Sequence, residues 1–210
     1  MITEFLQRAV TALMLVAVVG FLFFACSTFI YTLFLACALG YILAGEWPRF
    51  KLWWLTPWYP VLPFLALIDV YIHDKWLWAY LVCVVAAYDT GAYSIGKLWG
   101  STKIAPTISG QKTIEGLLGG LLSAGIMSFF LRFLLQKTLC YGIIFLLLQG
   151  CAIGLVAFFG DLWESWCKRK GQLKDAGALL PGHGGLLDRI DGLLLAALVY
   201  DILLITGFML

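Results

Sequence analysis

The sequence predicts an all-α fold: a polytopic integral membrane bundle of about seven transmembrane helices, N-terminus in and C-terminus out. Three observations carry this. Of 210 residues, 62% are hydrophobic and only 12% charged, too little polar surface for a water-soluble domain of that length. Apolar runs of about 20 residues recur along the whole chain, and each is long enough to cross a ~30 Å hydrocarbon core. The basic residues fall mostly on one side of these runs. A closed β-barrel is excluded, because its strands alternate in polarity over about 10 residues, whereas these runs are apolar all round.

Taken in order, the spans are expected near residues 5–24, 28–45, 57–72, 77–96, 116–135, 140–160 and 186–208. The first is too long for the apolar core of a signal peptide and reads as a retained helix. It forms a hairpin with the second, turning near Cys26 and Ser27. The following segment, Glu46 to Trp54, combines Pro48, Arg49 and Lys51 with three tryptophans, which suits a stretch lying at headgroup level. Two long polar segments, roughly 97–115 and 161–191, are separated by two spans and so share one face of the bilayer. The whole chain, 1–210, reads as a single transmembrane domain, with its motif-bearing region at about 85–192.

Orientation follows from the 14 basic residues. With the N-terminus inside, only Lys75, Arg132 and Lys137 lie on the outer side, and the rest lie on the cytoplasmic side. The six cysteines are scattered through apolar runs without a CxxC pair; they read as small buried hydrophobes, since zinc requires clustered ligands. The formal net charge of +2 gives no reason to expect a nucleic-acid partner.

The densest polar constellation runs from Gly160 to Asp191. Asp161, Glu164, Ser165 and Lys168 are spaced i, i+3, i+4 and i+7, which places them on one face of a helix. Asp188 and Asp191 are likewise three apart at the start of the last span. Between the groups lies Pro181-Gly182-His183-Gly184-Gly185, a turn whose backbone amides can approach a ligand closely. Carboxylates suit magnesium; Lys168, Arg169, Lys174 and Arg189 suit phosphate oxygens. Glu164–Lys168 and Asp188–Arg189 also fit plain structural ion pairs. The set as a whole, at the ends of two spans, points to a polyphosphate and its metal, because charge near membrane depth is costly.

A second constellation comprises Asp89-Thr90-Gly91-Ala92-Tyr93 and the stretch from Lys103 to Thr113. Asp89 interrupts an apolar span and should face a polar cavity. Lys103 and Lys112 fall in a flexible loop and are candidate phosphate clamps. The stretch Gly91 to Lys97 imitates part of a P-loop, but Leu98 stands where a Ser or Thr would hold magnesium, and a helix end replaces the strand-to-helix turn. Asp69, His73, Asp74 and Lys75 fall at the opposite end. Asp201, 13 positions after Asp188, lies roughly 20 Å further along its helix.

These residues resemble the phosphatidate cytidylyltransferases, or CDP-diglyceride synthetases. The family's gapped signature is matched in order and spacing by Ser165, Lys168-Arg169, Lys174-Asp175, His183-Gly184-Gly185, Asp188-Arg189 and Asp191. The Asp89–Tyr93 and Lys103–Gly116 stretches are also similar to it, so the resemblance covers roughly 85–200. Cys167 departs from the family's bulkier residue, a change of packing only. The chain is also shorter than typical bacterial members, as if one or two N-terminal spans were lacking.

The resemblance implies a magnesium-dependent nucleotidyltransferase that transfers CMP from CTP to phosphatidic acid, giving CDP-diacylglycerol and pyrophosphate. It implies a homodimer in the bacterial inner membrane, with its site at the cytoplasmic face, open to membrane lipid, and a potassium ion near the Mg2+. Asp161 and Asp188 would hold the metal, with Asp191 and Asp89 supporting. Lys168 and Arg189 would act in catalysis. Ser165, Arg169, Lys174, Asp175, His183, Gly184, Gly185, Lys103 and Lys112 would bind substrate. Alternatives are the same chemistry on an ether-lipid or polyprenyl phosphate, or a transporter. A transporter predicts ionisable groups through the midplane, whereas here they crowd one face.

Overall fold

The computed structural model of the chain describes residues 2–134, 142–179 and 184–206. Helices α1 (Ile2–Ala25), α2 (Thr28–Tyr41), α3 (Leu62–His73), α4 (Lys75–Trp99), α5 (Ile114–Leu134), α6 (Ile143–Lys170) and α7 (Leu187–Ile205) coincide with the seven apolar runs. Among the described residues, four helical stretches are long and apolar enough to cross a membrane: Thr28–Phe50, Trp53–His73, Ile114–Leu134 and Ile143–Lys170. The chain is a helical membrane protein. Short polar residues punctuate it. Ser27 caps α2 by accepting a hydrogen bond from the Ile30 N–H. Asp74, in extended conformation, ends α3 and caps α4 through the Trp76 N–H at 2.8 Å; a side-chain oxygen there satisfies an otherwise orphaned amide.

Helices α3 to α7 close into a ring in which α4 packs on α5, α5 on α6, α6 on α7, and α7 on α3, which returns to α4. Lipid offers no hydrophobic gain for joining one helix to another, so close approach depends on small residues. At Gly120 of α5, a Cβ would lie 2.6 Å from the Tyr88 ring of α4. At Gly160 of α6, it would lie 2.8 Å from the Asp191 carbonyl of α7. The opposite face of α5 presents Leu118, Leu122, Ile126 and Phe130, all exposed, as a lipid-facing stripe. An aromatic cluster fastens the N-terminal hairpin to this ring. Tyr31 stacks on Tyr71 with centroids 4.3 Å apart, and Phe23 stacks on Trp78 at 6.0 Å.

Three expectations are revised. The stretch expected as a flexible loop contains an antiparallel hairpin, β1 (Lys103–Ala105) and β2 (Ser109–Thr113). It is anchored by Glu115, which accepts hydrogen bonds from the Ser101 and Thr102 N–H groups. The sixth run, expected to end near 160, continues as α6 to Lys170, which keeps Asp161, Glu164, Ser165 and Lys168 helical as their spacing predicts. The supposed headgroup segment divides in two. Helix α2 continues through a π-helical turn, Ile42–Glu46, and a 3-10 turn, Trp47–Phe50. Glu46, Trp47 and Phe50 are each only 1% exposed, while Trp53 and Trp54 remain exposed. Glu46 and Phe50 are covered because the chain after α6 folds back over them, and Trp47 packs on Phe50 and Tyr59 and donates to the Thr56 hydroxyl.

Candidate functional site: a charged cavity at one end of the bundle

The last turns of α6 supply the first wall. Their helical spacing puts Glu164 and Lys168 in contact as an ion pair, and the Ser165 hydroxyl donates to Asp161 at 3.4 Å. Helix α6 then ends abruptly. The Leu173 N–H bonds to the Lys168 carbonyl at 2.8 Å and the Gln172 N–H to the Arg169 carbonyl at 3.1 Å, with Gln172 left-handed at φ 57°. This is a Schellman turn, and it redirects the chain across the end of the bundle toward α7.

That returning loop fixes Asp188. Its carboxylate accepts hydrogen bonds from the Ala176 N–H at 2.9 Å and the Gly185 N–H at 2.8 Å, and it pairs with the Lys168 ammonium at 2.8 Å. Lys168 thus bridges Glu164 on its own helix and Asp188 on the next. Their side chains are 0%, 12% and 6% exposed for Glu164, Lys168 and Asp188, so the three charges are held in a poorly solvated environment where each requires its partner. Gly184, at φ +88°, occupies backbone space that favours glycine, and a Cβ there would stand 2.9 Å from the Asp188 carboxylate.

The hairpin supplies the opposite wall. The Lys112 ammonium from β2 pairs with Asp161 at 2.7 Å and lies 4.9 Å from the centre of the Phe158 ring. Asp161 stays open, with 38% of its side chain exposed. Between these walls is a cavity of about 460 Å³, within the usual range for small-ligand sites. Asp89 of α4, Asp161 of α6, and Asp188 and Asp191 of α7 all line it. So do Lys112, Lys168 and Arg189. With Asp175 from the loop between α6 and α7, five carboxylates and three cations from five separate stretches of chain therefore surround one space.

The sequence model of the cytidylyltransferase family matches residues 48–206, which includes every wall of this cavity. The chain belongs to the cytidylyltransferase family. It is similar to the phosphatidate cytidylyltransferase of Helicobacter pylori, 43% identical over 145 residues, covering 67% of this chain and 52% of that protein. The Rickettsia conorii protein of the same name is 37% identical over 143 residues, covering 66% and 61%. That of Haemophilus influenzae is 37% identical over 144 residues, covering 63% and 50%. The chain spans little more than half the length of these relatives.

Within this family member, the expected site residues separate by position. Asp89, Asp161, Asp188, Asp191, Lys112, Lys168, Arg189 and Asp175 meet at the cavity. Ser165 is buried behind Asp161. Gly185 holds Asp188 through its N–H, and Gly184 leaves room for the Asp188 carboxylate where a Cβ would crowd it. Arg169 is turned toward carbonyls, donating to Ile108 O and Leu173 O, each at 3.2 Å. Lys103 and Lys174 are exposed outside the lining. His183 lies outside the described residues.

The donor set suits a hard divalent cation. Among the described residues no three Asp, Glu, His or Cys side chains converge at ligating distance. An ion here would take one or two carboxylates from the chain and its remaining oxygens from phosphate and water, which is how magnesium is ordinarily held. Asp161 and Asp188 fit that role, because each already holds an ammonium group at 2.7–2.8 Å.

Sequence reasoning missed two contributors. Glu164 was visible only as half of an i, i+4 pair; its complete burial depends on the tertiary packing of α6. Glu46 lies outside every motif. Its oxygens accept hydrogen bonds from the Leu186 N–H at 2.7 Å and the Leu187 N–H at 2.8 Å, and no local pattern signals a partner 140 residues away.

Proposed function

We propose that this chain is a phosphatidate cytidylyltransferase, transferring CMP from CTP to phosphatidic acid and releasing pyrophosphate. The observation that carries the reading is one cavity bounded by five carboxylates and by Lys112, Lys168 and Arg189, in a chain whose relatives bear that name. In the reaction, an oxygen of the lipid phosphate forms a bond to the α-phosphorus of CTP. The bond from that phosphorus to the α–β bridging oxygen breaks, and its electrons leave with pyrophosphate. The lipid phosphate is largely ionised at neutral pH, so no strong general base is required.

Catalysis then rests on positioning and on neutralising charge. Lys112 and Arg189, from opposite walls, are placed to hold phosphate oxygens in line. Lys168 keeps Asp188 oriented while its own charge faces the cavity. Asp161 and Asp188 would hold Mg2+, with Asp89 and Asp191 nearby; the ion supplies Lewis-acid stabilisation of the triphosphate when bound. Potassium as a second cation, a homodimeric state, seven spans with the N-terminus in, and a cytoplasmic site in an inner membrane belong to the same proposal.

The test is Mg2+-dependent conversion of labelled CTP and phosphatidic acid by purified protein, with Asp188→Asn alongside. The expected result is product from the wild type and a loss of at least about 100-fold in the variant. Absence of product from the wild type with every nucleotide and lipid phosphate tried would overturn the reading. Full activity in Asp188→Asn would remove Asp188 from the metal site.

A further inference from the structure

The structure assigns Glu46 a role in the site it never touches: a positioning residue that sets the Asp188 carboxylate by capping α7 from the other end of the sequence. Helix α7 begins poorly by its own means. Its N-cap is Leu186, which has no side-chain oxygen to offer the first amides. A helix start leaves such N–H groups without partners and carries partial positive charge. Glu46, 1% exposed, meets both needs, with one oxygen accepting from Leu186 and the other from Leu187. Asp188 is the next residue.

The fit is built on both sides. A Cβ at Gly177 would stand 2.6 Å from a Glu46 oxygen, and one at Gly185 would stand 2.8 Å from it. The loop therefore closes on the carboxylate at two points that tolerate no side chain. A second strut runs from the same turn. The exposed Arg49 donates to the Ala176 carbonyl at 2.7 Å, and the Ala176 N–H holds Asp188 at 2.9 Å. Phe50 completes the seat, its backbone 3.0 Å from where a Gly171 Cβ would be. Asp188 thus takes its orientation from two amides, and the segments carrying both are fastened to the turn at 42–50. The π-helical turn Ile42–Glu46 makes this possible, because it re-aims Glu46 away from the regular course of α2.

This inference rests on the proposed reaction only for its activity readout. The experiment uses the full chain in detergent or nanodiscs, comparing wild type, Glu46→Gln and Arg49→Gln. Amide hydrogen exchange over residues 174–192 needs neither substrate nor metal. In Glu46→Gln it should quicken about 5- to 10-fold, the loss of one charged cap expressed as local opening, while exchange in α5 stays unchanged. In the transferase assay the Mg2+ concentration for half-maximal rate should rise by about 10- to 100-fold, with the KM for CTP nearly constant. Arg49→Gln, a change at the exposed end, should shift both readouts in the same direction by less, and it decides the matter if Glu46→Gln does not fold. Wild-type exchange and Mg2+ response in whichever variant folds would overturn the assignment. If the wild type proves inactive, the proposed reaction falls, and the exchange comparison still decides Glu46.

Discussion

Lys168 shows how much a single side chain can carry in a poorly hydrated setting. It faces Glu164 and Asp188 together, and removing it leaves buried Glu164 without its ion pair and Asp188 with only its two backbone amides. Lys168→Met should therefore cost about 3–5 kcal/mol, measured as chemical or thermal unfolding in detergent. Glu164→Leu/Lys168→Met should recover a large part of that stability without recovering activity. Recovery of both would make the pair a structural bridge and nothing more. The helical spacing of Glu164 and Lys168 is legible in sequence, and so is the clustering of Asp161, Asp188 and Asp191. The link from Lys168 to Asp188 is not, because it depends on how far the chain turns between α6 and α7.

The elements meet through glycines whose roles differ with their surroundings. Gly120→Ala would drive a methyl group into Tyr88 and push α4, which carries Asp89, away from α5. It should lower stability by about 1–3 kcal/mol, as overpacking does, and reduce activity as well. Gly40→Ala, with nothing within 4 Å, should be neutral or stabilise by up to about 1 kcal/mol, since alanine is the better helix former. Thermal unfolding of the two variants side by side checks the contrast; equal effects would refute the packing account. Apolar length was enough to locate α1 to α7, though not the π-helical and 3-10 turns between Ile42 and Val61. It did not reveal the hairpin at 103–113, whose entry is held by Glu115 accepting from Ser101 and Thr102. Nor did it separate the buried half of the Glu46–Trp54 segment from its exposed half, since each half mixes tryptophan with a basic residue and only tertiary contacts distinguish them.

Across the whole molecule, charge is sorted by end. Arg49, Lys97, Lys103, Arg169, Lys174 and Arg189 are all exposed around the cavity end, while Lys75 sits with Phe23 and Trp76 at the other. A polyanionic nucleotide should be drawn to the basic end. Activity at low CTP should accordingly fall as ionic strength rises from about 0.01 to 0.15 M, where the screening length shrinks from ~30 to ~8 Å. A salt-independent rate would rule out steering. The proposed topology has an equally direct check. Cysteine introduced at Ser101 should react with an impermeant thiol reagent only from the cytoplasmic side, and one at Lys75 only from outside. The reverse pattern would invert the molecule.

The cap on α7 also bears on how this protein is made. Glu46 is synthesised before its partners, since the amides that receive it come 140 and 141 residues later. At a ribosome moving ~5–20 residues per second, that is an interval of roughly 7–28 seconds. Throughout it, a carboxylate destined for full burial has no partner and must keep its water. The turn at 42–50 therefore takes its final environment only once the start of α7 is in place, so this end of the bundle can be completed only after α7 has been made.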